Sequence, residues 1–117
     1  MLTLANINQV YIACGATDMR KSIDGLAVIV QIRFKLDPFS NCLFVFCNKS
    51  CNKIKVLQWE YTGFWLHYKR LERGRFKWPK TESEVKNISQ REFSWLLDGL
   101  SLEQPKAHKE VLERGLI

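Results

Sequence analysis

Four cysteines, two histidines and twelve carboxylates are the groups in this 117-residue sequence equipped for metal binding, nucleophilic attack or proton transfer. Cys42, Cys47 and Cys51 cluster, and Cys47-x-x-x-Cys51 has the outline of half a metal site. Zinc sites pair their cysteines more closely and add a second pair or two histidines downstream. Here His67 and His108 stand alone. The four thiols, Cys14 included, are therefore expected to be free, reduced and mostly buried as small apolar side chains, with no metal and no other cofactor. Strand cleavage by paired metal ions needs two or three carboxylates gathered at one point. Asp18 and Asp24, six apart on one predicted helix, point about 240° apart around its axis. Asp18 is better explained by the electrostatics of a helix start. No Cys/His nucleophile signature is present, and the six glycines are scattered singly instead of forming a phosphate-binding loop. The sequence is not expected to be an enzyme.

The chemistry that remains is charge. The chain carries a net +6. Between Lys49 and Lys80 stand nine Lys or Arg and only Glu60 and Glu72, a net +7, so the rest of the chain sums to −1. The same stretch holds Trp59, Tyr61, Phe64, Trp65, Tyr68, Phe76 and Trp78. Cations neutralise phosphates and release counterions, and exposed rings stack on unpaired bases. Aromatics in strands more often serve the core, and most of these seven rings are expected to be buried. The asymmetry of charge favours a polyanionic partner, DNA above all.

The elements that must hold these residues can be read from period and punctuation. Gln9–Cys14 reads as a first strand, stopped by Gly15. Thr17 reads as an N-cap, and Met19, Ile23, Leu26, Ala27 and Val30 recur on one face of an amphipathic helix that runs to Leu36, before Asp37-Pro38. Leu43–Cys47, Lys53–Trp59, Phe64–Lys69 and Arg75–Trp78 read as four strands joined by turns at Asn48–Asn52, Tyr61–Gly63 and Leu71–Gly74. Ser89-Gln-Arg-Glu92 is a capping box, opening a short helix that carries Phe93, Leu96 and Leu97 and stops at Gly99. Residues 101–117 read as a polar, fraying tail. The fold expected is α+β: one domain over residues 1–100, an antiparallel meander of four to five strands, a long Thr17–Leu36 helix across one face, and a short C-terminal helix. Length supports one hydrophobic core and not two. The absence of a secretory segment and of any apolar run near the roughly 20 residues of a membrane span points to the cytoplasm, with no membrane partner.

Several strings in this order are familiar. Gly15-Ala-Thr-Asp-Met-Arg-Lys-Ser-Ile-Asp-Gly-Leu26, Asp37-Pro-Phe-Ser40, Leu43-Phe-Val-Phe46, Lys53-Ile-Lys-Val-Leu-Gln-Trp59, Gly63-Phe-Trp-Leu-His-Tyr-Lys-Arg-Leu-Glu-Arg-Gly-Arg-Phe-Lys-Trp-Pro79 and Leu96-Leu-Asp-Gly99 resemble the TnpB accessory proteins of the insertion-sequence family sixty-six. The resemblance spans about residues 9 to 100. It implies a role in transposition beside a separate, larger transposase. There are two departures: Asn48-Lys-Ser-Cys-Asn52 replaces an arginine-rich, Asp-containing turn, and Glu60-Tyr61 replaces an Asp and a small or polar residue.

The residues expected to meet DNA are Lys53, Lys55, Lys69, Arg70, Arg73, Arg75 and Lys77. Lys53 and Lys55, two apart on a strand, share a face. With Lys69, Arg70, Arg73 and Arg75 they are expected to form one ridge spaced to meet successive phosphates. The alternative for these cations is a solvated sheet edge that deters aggregation. The alternative for the whole chain is a module that holds the transposase, through Phe93, Trp95, Leu96, Leu97 and Leu100, without touching DNA.

Overall fold

The computed structural model describes residues 7–80 and 83–99. They build a five-stranded sheet of order β4-β3-β2-β1-β5, with β1 Gln9–Ala13, β2 Cys42–Cys47, β3 Lys53–Glu60, β4 Gly63–Arg70 and β5 Val85–Ile88. The fold is α+β, and β2, β3 and β4 form the expected antiparallel meander. The sheet as a whole is mixed, not antiparallel. β1 lies parallel to β2 in the register Val10↔Leu43 and antiparallel to β5 in the register Val10↔Ile88. The helical crossover between β1 and β2 allows that parallel pairing, which a tight hairpin cannot make.

Arg75–Trp78 is not a strand. Its Phe76 and Trp78 alternate inward as a strand's would, but Phe76 N–H bonds Cys51 O at 2.7 Å and Trp78 Nε1 donates to Ala13 O at 2.8 Å, across the end of the sheet. The fifth strand is instead Val85–Ile88, a short polar stretch whose tertiary pairing with β1 overrides weak local signals.

The predicted long helix is also shorter. Helix α1 is Ile23–Val28, continued by a π-helical turn over Ile29–Arg33. Thr17 does not cap it: Thr17 N–H bonds Cys47 O at 2.7 Å, tying the loop to the sheet. Asp18 does not sit at a helix start either. Its carboxylate accepts from Arg20 N–H at 2.9 Å and from the Arg20 guanidinium, a local turn that competes with helix. At the other end Leu36 N–H reaches back to Val30 O at 3.0 Å, with Lys35 left-handed at φ 57°. That closing motif usually takes glycine, which is why sequence did not mark it.

The sheet is covered on both faces. Odd and even positions of β2 point to opposite sides. Phe44, Phe46 and Leu57 pack beneath Leu26, Ile29 and Val30, with Met19, Ile23 and Ala27 partly buried at the same core, so the predicted apolar stripe is correct even where the chain is not helical. Leu43, Val45, Cys47, Ile54 and Val56 face the second core, closed by Phe76, Trp78, Phe93 and Leu96. Helix α2, Gln90–Leu97, begins at the expected capping box: Ser89 Oγ accepts from Glu92 N–H at 3.0 Å, and Ser89 N–H donates to Glu92 Oε1 at 2.9 Å. It ends on Gly99 at φ 81°. Leu100 and the predicted 101–117 tail lie outside the described residues.

Candidate nucleic-acid interface

The basic stretch is mounted on the β3–β4 hairpin and on the segment that follows it. In the hairpin Lys53 is paired with Arg70 and Lys55 with Tyr68. Directly opposed residues of an antiparallel pair share a face. These four therefore stand on the α1 side of the sheet, beyond the edge of its core. With Asp18, Met19 and Arg20 from the loop before α1, Lys53, Lys55 and Tyr68 line an open groove of about 570 Å³. Tyr68 is half exposed in it, a ring free to meet a base. Lys69 points to the other face, where its Nζ lies 3.4 Å from Leu97 O at the C-terminal end of α2, the favourable end for a cation.

Each cation has its own situation. Lys55 is partly buried, and its Nζ donates to Met19 O at 2.7 Å and Lys21 O at 2.9 Å, holding the 17–22 loop to the hairpin. Arg70 is exposed and paired with Glu72 at 2.8 Å, a surface bridge that stabilises little and stays open to exchange. Arg73, Arg75 and Lys77 are exposed. They fall on the segment that turns at Gly74, where φ is 76°, a value glycine adopts without strain. Inward-facing Phe76 and Trp78 anchor that segment and leave Arg75 and Lys77 outside. The six cations expected to form one ridge are thus divided. Lys53, Lys55 and Arg70 share a face, Lys69 lies on the opposite one, and Arg73 and Arg75 project from the loop.

Arg20 escaped notice in the sequence, because a single cation ahead of a helix looks like ordinary surface. Its bidentate pair with Asp18, at 2.8 Å for Nη2 to Oδ2, holds the Asp18 carboxyl down at about 2. The groove therefore carries one permanent anion among its cations.

The rings divide as well, and not as expected. Only Phe76 and Trp78 are buried; Trp59 and Phe64 are partly buried, and Tyr61, Trp65 and Tyr68 are exposed. Trp59, Phe64 and Phe39 form a cluster at centroid spacings of 5.0 to 5.3 Å, with Trp59 edge-to-face to both phenyl rings and the two phenyl rings tilted at 41°. Trp65 stacks on His67 on the α2 side. His67 Nε2 meets Gln58 Oε1 at 2.9 Å, and burial lowers its pKa, favouring the neutral ring. Tyr61, where a small or polar residue was expected, sits left-handed at φ 52° in the hairpin turn.

The three clustered cysteines do not converge on one point: Cys51 lies beside Cys47, but Cys42 is turned away from both. Cys42 and Cys47 are five apart on β2, an odd separation, and they lie in the two different cores. Burial, then the neighbouring Cys51, pushes the Cys47 thiol up to about 12. In the Asn48–Asn52 turn, Asn48 Oδ1 accepts from the backbone N–H of Asn52 and of Lys53, both at 3.0 Å. Among the described residues, no three His, Cys, Asp or Glu side chains gather where an ion could be held, and no helix is long and apolar enough to cross a membrane.

Comparison with known proteins places this arrangement. No solved structure matches the chain. It is 42% identical to the uncharacterized protein y4hO of Sinorhizobium fredii (strain NBRC 101917 / NGR234), over 84% of this chain and 85% of that one. It is 32% identical to the uncharacterized protein y4jC of the same strain, over 79% of each. The family described as IS66 Orf2 like protein matches residues 8–107, which include the whole sheet, both helices and every cation of the hairpin and its following segment. The chain belongs to the IS66 Orf2-like (TnpB) family, and its role is that of an accessory protein in IS66 transposition.

Proposed function

We propose that the protein is a non-catalytic, DNA-contacting accessory factor that works beside a separate transposase in the cytoplasm. The observation that carries this reading is the exposed Tyr68 ring lying beside the cross-strand pair Lys53–Arg70 on one face of the hairpin. Such cations neutralise phosphates, and the ring beside them offers a stacking surface. Arg73, Arg75 and Lys77, exposed on the adjoining segment, extend the phosphate contact. Lys69, on the far face, touches DNA only where the strand wraps the sheet edge. Lys55 shapes the groove through the loop it holds.

Fluorescence anisotropy with element-end, scrambled and single-stranded DNA tests the reading. Raising salt from about 50 to 200 mM is expected to weaken binding at least tenfold if three or more phosphates are engaged. No binding at the lower salt refutes it. A preference for single-stranded DNA that Tyr68→Ala abolishes assigns the ring its stacking role.

A second reading rests on Val28 and Ile32, which are 55% and 65% exposed four residues apart on the outer face of the α1 helix and its π-helical turn. They suit a protein partner, the transposase first. The C-terminal helix is a weaker candidate for that contact, since Phe93 and Leu96 are spent in the core. Transposase capture that resists salt and fails in Ile32→Asp supports this reading over DNA contact.

A further inference from the structure

The two edges of the sheet are built differently. β5 is four residues long and includes Lys86, a blunt edge of the kind that discourages further pairing. β4 is eight residues long, and among the described residues only β3 pairs with it. Its middle, Phe64-Trp-Leu-His-Tyr68, carries no formal charge.

The register decides which backbone groups of β4 are free. Glu60 and Gly63 close a hairpin with a two-residue loop, so they form a hydrogen-bonded pair, and bonded pairs recur at every second residue. Gly63, Trp65, His67 and Lys69 therefore turn their N–H and C=O groups toward β3. Phe64, Leu66, Tyr68 and Arg70 turn theirs outward.

We propose that this edge pairs with β4 of a second copy of the chain, antiparallel and centred on His67. That register bonds all four outward residues: Leu66 with Tyr68 of the second copy and Phe64 with Arg70 of the second copy, each twice by symmetry, about eight backbone bonds in all. It also keeps each sheet face aligned with its like, since opposed residues must point the same way. The side chains then match. The first half of β4 is aromatic and the second half cationic, so antiparallel pairing sets Trp65 against Lys69 and Phe64 against Arg70 of the second copy, four cation–aromatic contacts. Glu60, whose carboxylate lies 3.3 Å from Trp65 Nε1, adds an anion beside the incoming Lys69. Like charges fall at opposite ends of the paired strands. The α1-side grooves of both copies face the same way, giving the dimer two neighbouring cationic grooves on one surface. A strand from another protein gains the same backbone bonds, and β4 of a second copy adds this side-chain complement to them.

Sedimentation equilibrium without DNA is the test. The chain is expected to show a concentration-dependent species of twice its 13.7 kDa mass at tens of micromolar. Tyr68→Pro removes one outward N–H while leaving the β3 ladder intact, and is expected to give a folded monomer. Lys69→Ala keeps the backbone unaltered and is expected to weaken dimerisation roughly tenfold, two cation–aromatic contacts being lost. Circular dichroism verifies that both variants remain folded. A wild-type chain that is monomeric throughout, one that fills this edge only when transposase is added, or a dimer indifferent to both substitutions overturns the proposal.

Discussion

Lys55 on β3 and Arg75 after β4 carry the same charge in the same basic stretch, yet the fold uses them in opposite ways. Lys55 turns inward, and its ammonium satisfies two carbonyls of the loop before α1. Arg75 turns outward between Gly74 and the buried Phe76, and among the described residues its side chain makes no hydrogen bond or ion pair. A local count of cations finds a basic region but cannot separate side chains bonded within the fold from those left to solvent. The pleat, and what lies across from it, makes that division.

The largest effect should come from the anchors beneath the outward cations. Trp78 is buried and bonded to Ala13 O, so Trp78→Ala is expected to cost about 3–5 kcal/mol, read by urea unfolding. A loss below about 1 kcal/mol would show that the 71–78 segment is not part of the cooperative core. Next is the inward cation. Lys55→Met keeps the aliphatic stem and removes two charge-assisted bonds, an expected loss of roughly 1–2 kcal/mol, with hydrogen exchange rising in the 17–22 loop. If stability holds and only DNA affinity falls, Lys55 belongs with the contact residues and the contrast with Arg75 fails.

Replacing Arg73, Arg75 and Lys77 together by Gln should do the reverse. Stability is expected to stay within about 0.5 kcal/mol while DNA affinity and its salt slope both fall. An unchanged slope would leave the hairpin groove as the sole contact. The smallest effect concerns the anion of that groove. The Asp18 carboxyl is held at about 2, below its ordinary 3.8, chiefly by the Arg20 side chain. A depressed carboxylate stabilises the folded loop above its unfolded value, and that contribution is lost as pH falls from about 4 toward 2. Following the Arg20 amide by NMR should show this transition in the native chain and not in Asp18→Asn.

Much of this protein could be read without its structure. The strings Thr17–Lys21 and Tyr68–Phe76 identify the family, the apolar run of β2 marks a buried strand, and the two-residue period in β4 and at Lys53 and Lys55 sets their faces. The Ser89–Glu92 capping box marks α2, because a cap is a contact between residues three apart. Period and capping are local properties, so sequence carries them. The tertiary structure alone decided that β1 runs parallel to β2, that Val85–Ile88 completes the sheet, and that Thr17 is tied to Cys47 O. It alone set Lys69 beside Leu97 O at the end of α2 and drew Lys55 into the loop carbonyls. These outcomes depend on partners tens of residues away, and a segment with weak local preference takes whichever pairing satisfies its backbone and buries its apolar side.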